Sequence, residues 1–182
     1  MLAWIQWIDS EVLLLLQETL RFDWLSQLME GYTTLGDKGL MWIVLALGLL
    51  CFKQTRKAGV LALVAMLFGL IGTNLILKNL VARPRPWLVV DGLLPLMSPP
   101  DPNSFPSGHT CAAFAFAGTM CRGLKWRWAK VTAIMAALLM GFSRLYVGLH
   151  FPSDVLMGMC VGLLCSQAAW YLGCRLGRSA AG

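Results

Sequence analysis

The chain is 182 residues long, 58% hydrophobic and only 13% charged, with a formal net charge of +6. Soluble domains carry roughly 25% charged and about 45–50% apolar residues, so a soluble domain, a disordered tail and a nucleic-acid-binding arm are all excluded. A mean hydropathy of +0.67 and long apolar blocks point instead to one compact bundle of membrane helices, in which a basic excess reports orientation.

Residues 1–30 come first. Val12 to Leu16 is apolar, but Asp9, Glu11, Glu18, Arg21 and Asp23 interrupt every twenty-residue window. With Trp4, Trp7 and Trp24 among these positions, the segment reads as amphipathic helices lying in the membrane interface. A sixth span through residues 1–22 is the alternative. The segment has no basic start and no small-residue cleavage site ahead of its apolar core, so it does not read as a cleaved signal peptide.

A span needs about 20 predominantly apolar residues. Leu40–Phe52 supplies thirteen and reaches span length only if its helix begins near Thr33 and takes in Asp37 and Lys38. Ala58–Leu77 is twenty residues without a charge, bounded by Lys57 and Lys78. The loop that follows holds Pro84, Pro86, Pro95, Pro99, Pro100, Pro102 and Pro106, seven of the eight prolines, because proline breaks helices and collects in turns. Ser107–Cys121 is a shorter block of fifteen residues, Val131–Leu149 carries Arg144 near one end, and Val155–Cys174 is again twenty uncharged residues. The expected fold class is therefore all-α, an integral membrane helical bundle of five to six transmembrane helices with N-terminal amphipathic helices. The bundle occupies residues 31–178, with an active-site loop at 79–106 and a tail at 179–182. The six cysteines have no CxxC spacing and read as packing residues, and the GxxxG of Gly158 and Gly162 reads as a close helix contact inside the bundle.

Threading five spans sorts the charges by side. One side receives Lys53, Arg56, Lys57, Arg122, Lys125, Arg127, Lys130, Arg175 and Arg178, nine basic residues and no acidic one. The other receives all nine Asp and Glu with the remaining six cations. By the positive-inside rule the first side, with the C-terminus, is cytoplasmic. The chain then reads as a multi-pass protein of the cell (plasma or inner) membrane.

Ionisable residues at membrane depth mark functional sites. Lys78 with Arg83 and Arg85, His109, Arg144, and His150 with Asp154 all fall at helix ends on the non-cytoplasmic side. Lys78, Arg85 and Arg144 offer charge and forked N–H donors suited to phosphate or carboxylate. Pro106-Ser107-Gly108-His109 opens a helix whose N–H groups and dipole also favour an anion. His150 and Asp154 are four apart, a spacing at which a carboxylate fixes the imidazole tautomer and leaves Nε2 free as a base or nucleophile. His109 is then available to protonate a leaving group, and the set amounts to phosphoryl transfer. These residues alone leave open which histidine is the nucleophile, with the Asp154 spacing favouring His150.

Lys78-x6-Arg85-Pro86, Pro106-Ser107-Gly108-His109 and Ser143-Arg144-x5-His150-x3-Asp154, in that order, resemble the three-part signature of the type-2 phosphatidic acid phosphatase family, membrane lipid phosphatases related to vanadium haloperoxidases. The resemblance covers most of the chain beyond about residue 31 and implies metal-independent dephosphorylation through a phosphohistidine, without a cofactor. It implies that His150 attacks phosphorus, that Asp154 orients it, and that His109 protonates the leaving oxygen and later helps water release phosphate. Lys78, Arg85, Ser107, Gly108 and Arg144 would hold the phosphoryl oxygens. Ser143 and Arg83 are expected as accessory contacts, the latter outside the family pattern.

The expected partners are a lipid phosphate and the bilayer, with no nucleic acid, and the sequence does not give the oligomeric state. The chain is similar to compact bacterial members acting on undecaprenyl diphosphate, which it would convert to undecaprenyl phosphate. Phosphatidylglycerophosphate and phosphatidate phosphatases, and a lipid phosphotransferase on the same scaffold, are the alternatives. A transporter would need polar residues at mid-span, and the mid-spans are nearly free of them, Thr73 and Asn74 being the main exceptions and close enough to Lys78 to support it.

Overall fold

The computed structural model describes residues 3–98 and 101–179, with side chains described as far as residue 176. Pro99, Pro100, the side chain of Arg178 and residues 180–182 of the expected tail lie outside the described residues. Helices α1 (Ala3–Leu20) and α2 (Asp23–Leu35) open the chain, and a 3-10 turn over Asp37–Gly39 leads into α3 (Leu40–Leu50). Lys38 and Gly39 both take left-handed backbone, at φ 53° and 73°, which a helix cannot continue through. The consequence is a 48° bend between Asp23–Leu35 and Asp37–Leu50.

Helix α4 (Arg56–Leu70) runs through a π-helical turn, Ile71–Leu77, into the short α5 (Lys78–Val81). Ala82, at φ 44°, ends it, so helix persists three residues into the expected active-site loop. The loop is pinned by a bridge between Pro84 and Asn103 and a 3-10 turn at Pro86–Leu88. Then come α6 (Gly108–Gly123), α7 (Arg127–Tyr146) and α8 (Pro152–Ser179).

Among the described residues, Arg56–Val81, Arg127–Tyr146 and Pro152–Leu176 are long and apolar enough to cross a membrane, and the bent pair makes a fourth if counted as one. The remaining expected span is α6, sixteen residues long and packed at the centre against α4, α7 and α8. Its Ala113, Ala115 and Ala117 are at most 2% exposed, and such small side chains let neighbouring backbones approach closely. The GxxxG glycines serve that approach. A Cβ on Gly158 would lie 2.5 Å from the Ser107 carbonyl oxygen, and one on Gly162 would press as closely on that of Cys111.

Helices α4, α6, α7 and α8 alternate in direction. The starts of α4 and α7 and the ends of α6 and α8 therefore share one end of the bundle, where Gly123 meets Ala58 and Trp170, and Lys57 Nζ stands 5.4 Å from the Trp170 ring centre. This end gathers the described members of the basic set from Lys53 to Arg175. The N-terminal helices pack on α7 and α8. Trp4, Trp7 and Trp24 point outward, whereas Asp9 and Leu13 of α1 are buried.

Candidate active site

At the opposite end, α5 and α7 finish and α6 and α8 begin. Their termini surround a cavity of about 760 Å³ lined by Lys78, Arg85, Arg144, His109 and His150, with Asp37, Asn74 and Asp101 among its polar groups. Its remaining wall is apolar, built from Ile43, Leu63, Met66, Leu67 and Leu70. A chamber with a charged floor and a greasy wall suits an amphiphile better than a soluble ester.

The cations are positioned by distinct devices. The π turn adds a residue to the helical repeat, so everything beyond it is rotated by about 100° relative to a plain α-helix, and this sets the direction of Lys78. Its ammonium pairs with Asp101. Arg85 sits between two prolines in extended backbone, φ −68° and ψ 152°, the conformation a following proline favours. Its Nη1 donates to the Leu149 carbonyl at 2.9 Å and to His150 Nε2 at 3.0 Å, while Nε donates to the Asp101 carbonyl at 3.0 Å. Arg144, in the last turn of α7, donates through Nη1 to Thr33 Oγ1 at 2.6 Å. Its Nε is buried without a partner, and among the described residues no carboxylate pairs with it. Among the described residues, Asp101 is the anion that pairs with Lys78 and Arg85. Burial alone would raise its pKa, but bonds from Lys78 and the Asn103 N–H, with the Arg85 charge, hold the carboxyl below its usual value.

His150 lies in the loop between α7 and α8 and is 2% exposed. Because Arg85 donates to Nε2, that nitrogen carries the lone pair and Nδ1 the proton. Nδ1 has no hydrogen-bond partner, and Asp154 Oδ2 is 3.7 Å from it. Such a separation is common before substrate tightens a catalytic pair. Burial, reinforced by Arg85 and Arg144, pushes the His150 pKa well below its ordinary value and keeps the ring neutral. Pro152 at the first helical position and a bond from the Phe151 N–H to Asp154 Oδ2 at 2.9 Å fix the turn carrying the pair.

His109 enters from α6, and its Nε2 is 2.8 Å from Asp37 Oδ1. Asp37 was expected only as part of a span. The signal that could have separated it was Gly36-Asp37-Lys38-Gly39, two glycines around an acid at a helix break. Ser107 is the N-cap of α6, its Oγ accepting from Thr110 Oγ1 at 2.9 Å, and its N–H donates to the Asp154 carbonyl at 3.1 Å. It builds the helix terminus and ties α6 to α8, without lining the cavity. Gly108 does line it, and a Cβ there would meet Asn74 Oδ1 at 2.8 Å.

Beyond Ser107, which was expected among the phosphate-holding residues, two further expectations need correction. Ser143 is buried in α7 and donates to the Met140 carbonyl at 2.8 Å, away from the cavity. Arg83, expected as an accessory phosphate contact, is turned to the other side of His150. Its Nη1 binds Asp154 Oδ1 at 2.6 Å and Ser153 Oγ at 2.7 Å, and its Nη2 binds Asp9 Oδ2 at 2.8 Å and Gln6 Oε1 at 2.6 Å. Two carboxylates attract this guanidinium more strongly than a cavity already lined by three cations.

The site residues from Lys78 to Asp154 sit within a stretch, residues 58–177, that matches the PAP2 superfamily. The chain belongs to this family. It is 33% identical over 123 residues to the undecaprenyl-diphosphatase of Sulfolobus acidocaldarius, a match covering 67% of this chain and only 58% of that relative. It is 31% identical over 157 residues to phosphatidylglycerophosphatase B of Bacillus subtilis, covering 80% of this chain and 73% of the relative. A crystal structure of a transmembrane PAP2-type phosphatidylglycerolphosphate phosphatase from Bacillus subtilis superposes with a TM-score of 0.76 at 28% identity, covering 94% of this chain and 87% of that one. The family indicated by the three motifs is thus the family found.

Proposed function

We propose that the protein is a multi-pass membrane hydrolase that removes phosphate from a lipid phosphate or diphosphate, with undecaprenyl diphosphate as its substrate. The observation that carries this reading is the convergence of two histidines and three cations on one cavity whose other wall is apolar. Phosphoryl transfer depends chiefly on positioning and on stabilising charge over the equatorial oxygens, and Lys78, Arg85 and Arg144 supply that charge without further ions.

In the proposed reaction the His150 Nε2 lone pair attacks phosphorus and the bond to the leaving oxygen breaks. His109 delivers its proton to that oxygen, and Asp37 steadies the imidazolium beforehand. Asp154 accepts from His150 Nδ1–H as the ring becomes positive. A water then attacks the phosphohistidine, giving its proton back to His109 as the P–N bond breaks, and inorganic phosphate leaves. Before any of this the substrate phosphate replaces Asp101 on Lys78 and takes the Arg85 Nη1 hydrogen bond from His150 Nε2, which frees the lone pair. The cavity is assigned to the extracytoplasmic face and the C-terminus to the cytoplasm, because the basic residues collect at the opposite end of the bundle.

The Bacillus relative supports phosphatidylglycerophosphate as a second substrate reading. The deciding experiment is a panel of undecaprenyl diphosphate, phosphatidylglycerophosphate, phosphatidate and a soluble phosphate ester, run on protein purified in detergent with EDTA. We expect phosphate release from the lipid diphosphate to be fastest and to persist in EDTA. His150→Ala should abolish it and remove an acid-labile phosphoenzyme. Turnover that survives His150→Ala would refute the mechanism, and labelled phosphate in an acceptor lipid would make the protein a phosphotransferase.

A further inference from the structure

Asp9 is buried, 2% exposed, on the N-terminal helix and outside the stretch that matches the family. A lone carboxylate buried in a membrane protein is costly unless paired, and Asp9 is paired twice over. Its Oδ2 accepts from Arg83 Nη2 at 2.8 Å and from the Ser153 hydroxyl, while Oδ1 accepts from the Ser153 N–H at 3.0 Å. Ser153 is the second residue of α8 and directly precedes Asp154. Arg83, stacked 3.8 Å from the centre of the Phe151 ring, is shared between Asp9 and Asp154. The chain of contacts runs Asp9, Arg83, Asp154, His150, from a helix that contributes nothing to the cavity wall.

We propose that Asp9 is a positioning residue of the phosphotransfer site, sharing the Arg83 guanidinium so that Asp154 keeps a net negative charge toward His150. With one carboxylate, Arg83 would neutralise Asp154 at the moment His150 becomes cationic. With two, the buried triad carries a net charge of −1, and that charge faces the ring. The other groups facing His150 are the cations Arg85, Arg144 and Lys78 and the His109 ring, so among the described residues Asp154 is the carboxylate that pairs with it. Asp9 also holds the first turn of α8 through Ser153, which fixes where Asp154 stands.

This inference rests on the reading of His150 as nucleophile, and the test separates the two. Full-length variants are purified in detergent and assayed with farnesyl diphosphate as a short isoprenoid probe, following steady-state phosphate release and, by rapid quench, phosphoenzyme formation. Asp9→Asn is expected to lower kcat 10- to 100-fold with KM within twofold, and to slow phosphoenzyme formation by the same factor. Asp9→Glu and Asp9→Gln, which match in size and differ in charge, keep the comparison valid if Asp9→Asn folds poorly. Glu should retain at least a third of kcat and Gln should fall with Asn. Equal losses in Glu and Gln, or a kcat within twofold of the parent in Asp9→Asn, overturn the proposal while an inactive His150→Ala leaves the mechanism standing. An active His150→Ala overturns both.

Discussion

At the scale of single residues, the floor of the cavity is a set of cations waiting for an anion, and Asp101 is the anion that meets them. Its carboxylate pairs with Lys78, and its backbone carbonyl accepts from Arg85. Phosphate must compete with it, so Asp101→Asn is expected to strengthen inhibition by inorganic phosphate about three- to tenfold, measured as Ki. Asp37→Asn should lower kcat about tenfold or more, within the range general acid catalysis contributes, and His109→Ala should lower it further, since the proposed acid itself is then missing. His150 gives a pH prediction with a defined sign. Its pKa is depressed in the folded protein, so below the ordinary value of about 6.5 the unfolded chain takes up a proton that the folded one does not. Stability is therefore lost as pH falls from 7 to 5, and His150→Gln should lose less melting temperature over that interval than the parent. Phosphoenzyme formation on His150 should show no fall from protonation of the nucleophile at about pH 6.5. The motif residues were legible in the sequence because their spacing is local. Asp37, Asp101 and Asp9 were not, since each matters through a partner 72, 23 or 74 positions away.

At the scale of elements, two devices hold the site, and both are sensitive to a single residue. The π turn over Ile71–Leu77 sets the phase of Lys78. Deleting Leu75 should convert it to α-helix, turn Lys78 about 100° away from the cavity and reduce kcat/KM at least 100-fold, while circular dichroism shows unchanged helix content. The second device is the contact of α6 and α8. A Cβ on Gly158 strikes the Ser107 carbonyl, and overpacking of this kind costs about 1–3 kcal/mol. Gly158→Ala is therefore expected to lower the melting temperature by several degrees and, because Ser107 caps the helix that carries His109, to lower kcat as well. The sequence marked this glycine pair as a close contact, but its partner helix emerged only from packing. The π turn was not legible, because Gly72, Thr73 and Asn74 break the apolar run of Ile71–Leu77 without indicating an added residue in the helical repeat.

At the scale of the molecule, the two ends of the bundle differ in charge and in purpose. If the basic end is cytoplasmic, a single cysteine placed at the exposed Leu88, in a background lacking the native cysteines, should react with a membrane-impermeant maleimide in intact cells. One kept at the exposed Cys51 should react only after the cells are opened. The reverse pattern would invert the assigned orientation. The sequence by itself determined the helical membrane class, the segregation of charge and the residues of the three motifs, since apolar block length, Lys and Arg counts and motif spacing are properties of the chain read in order. Tertiary structure alone decided that α6 is a central helix of sixteen residues, that Arg83 faces Asp154 and not the cavity, and that α1 sends Asp9 in to meet it. The physical reason is that a buried charge takes its direction from whichever opposite charge packing brings within reach, and that pairing has no trace in local sequence.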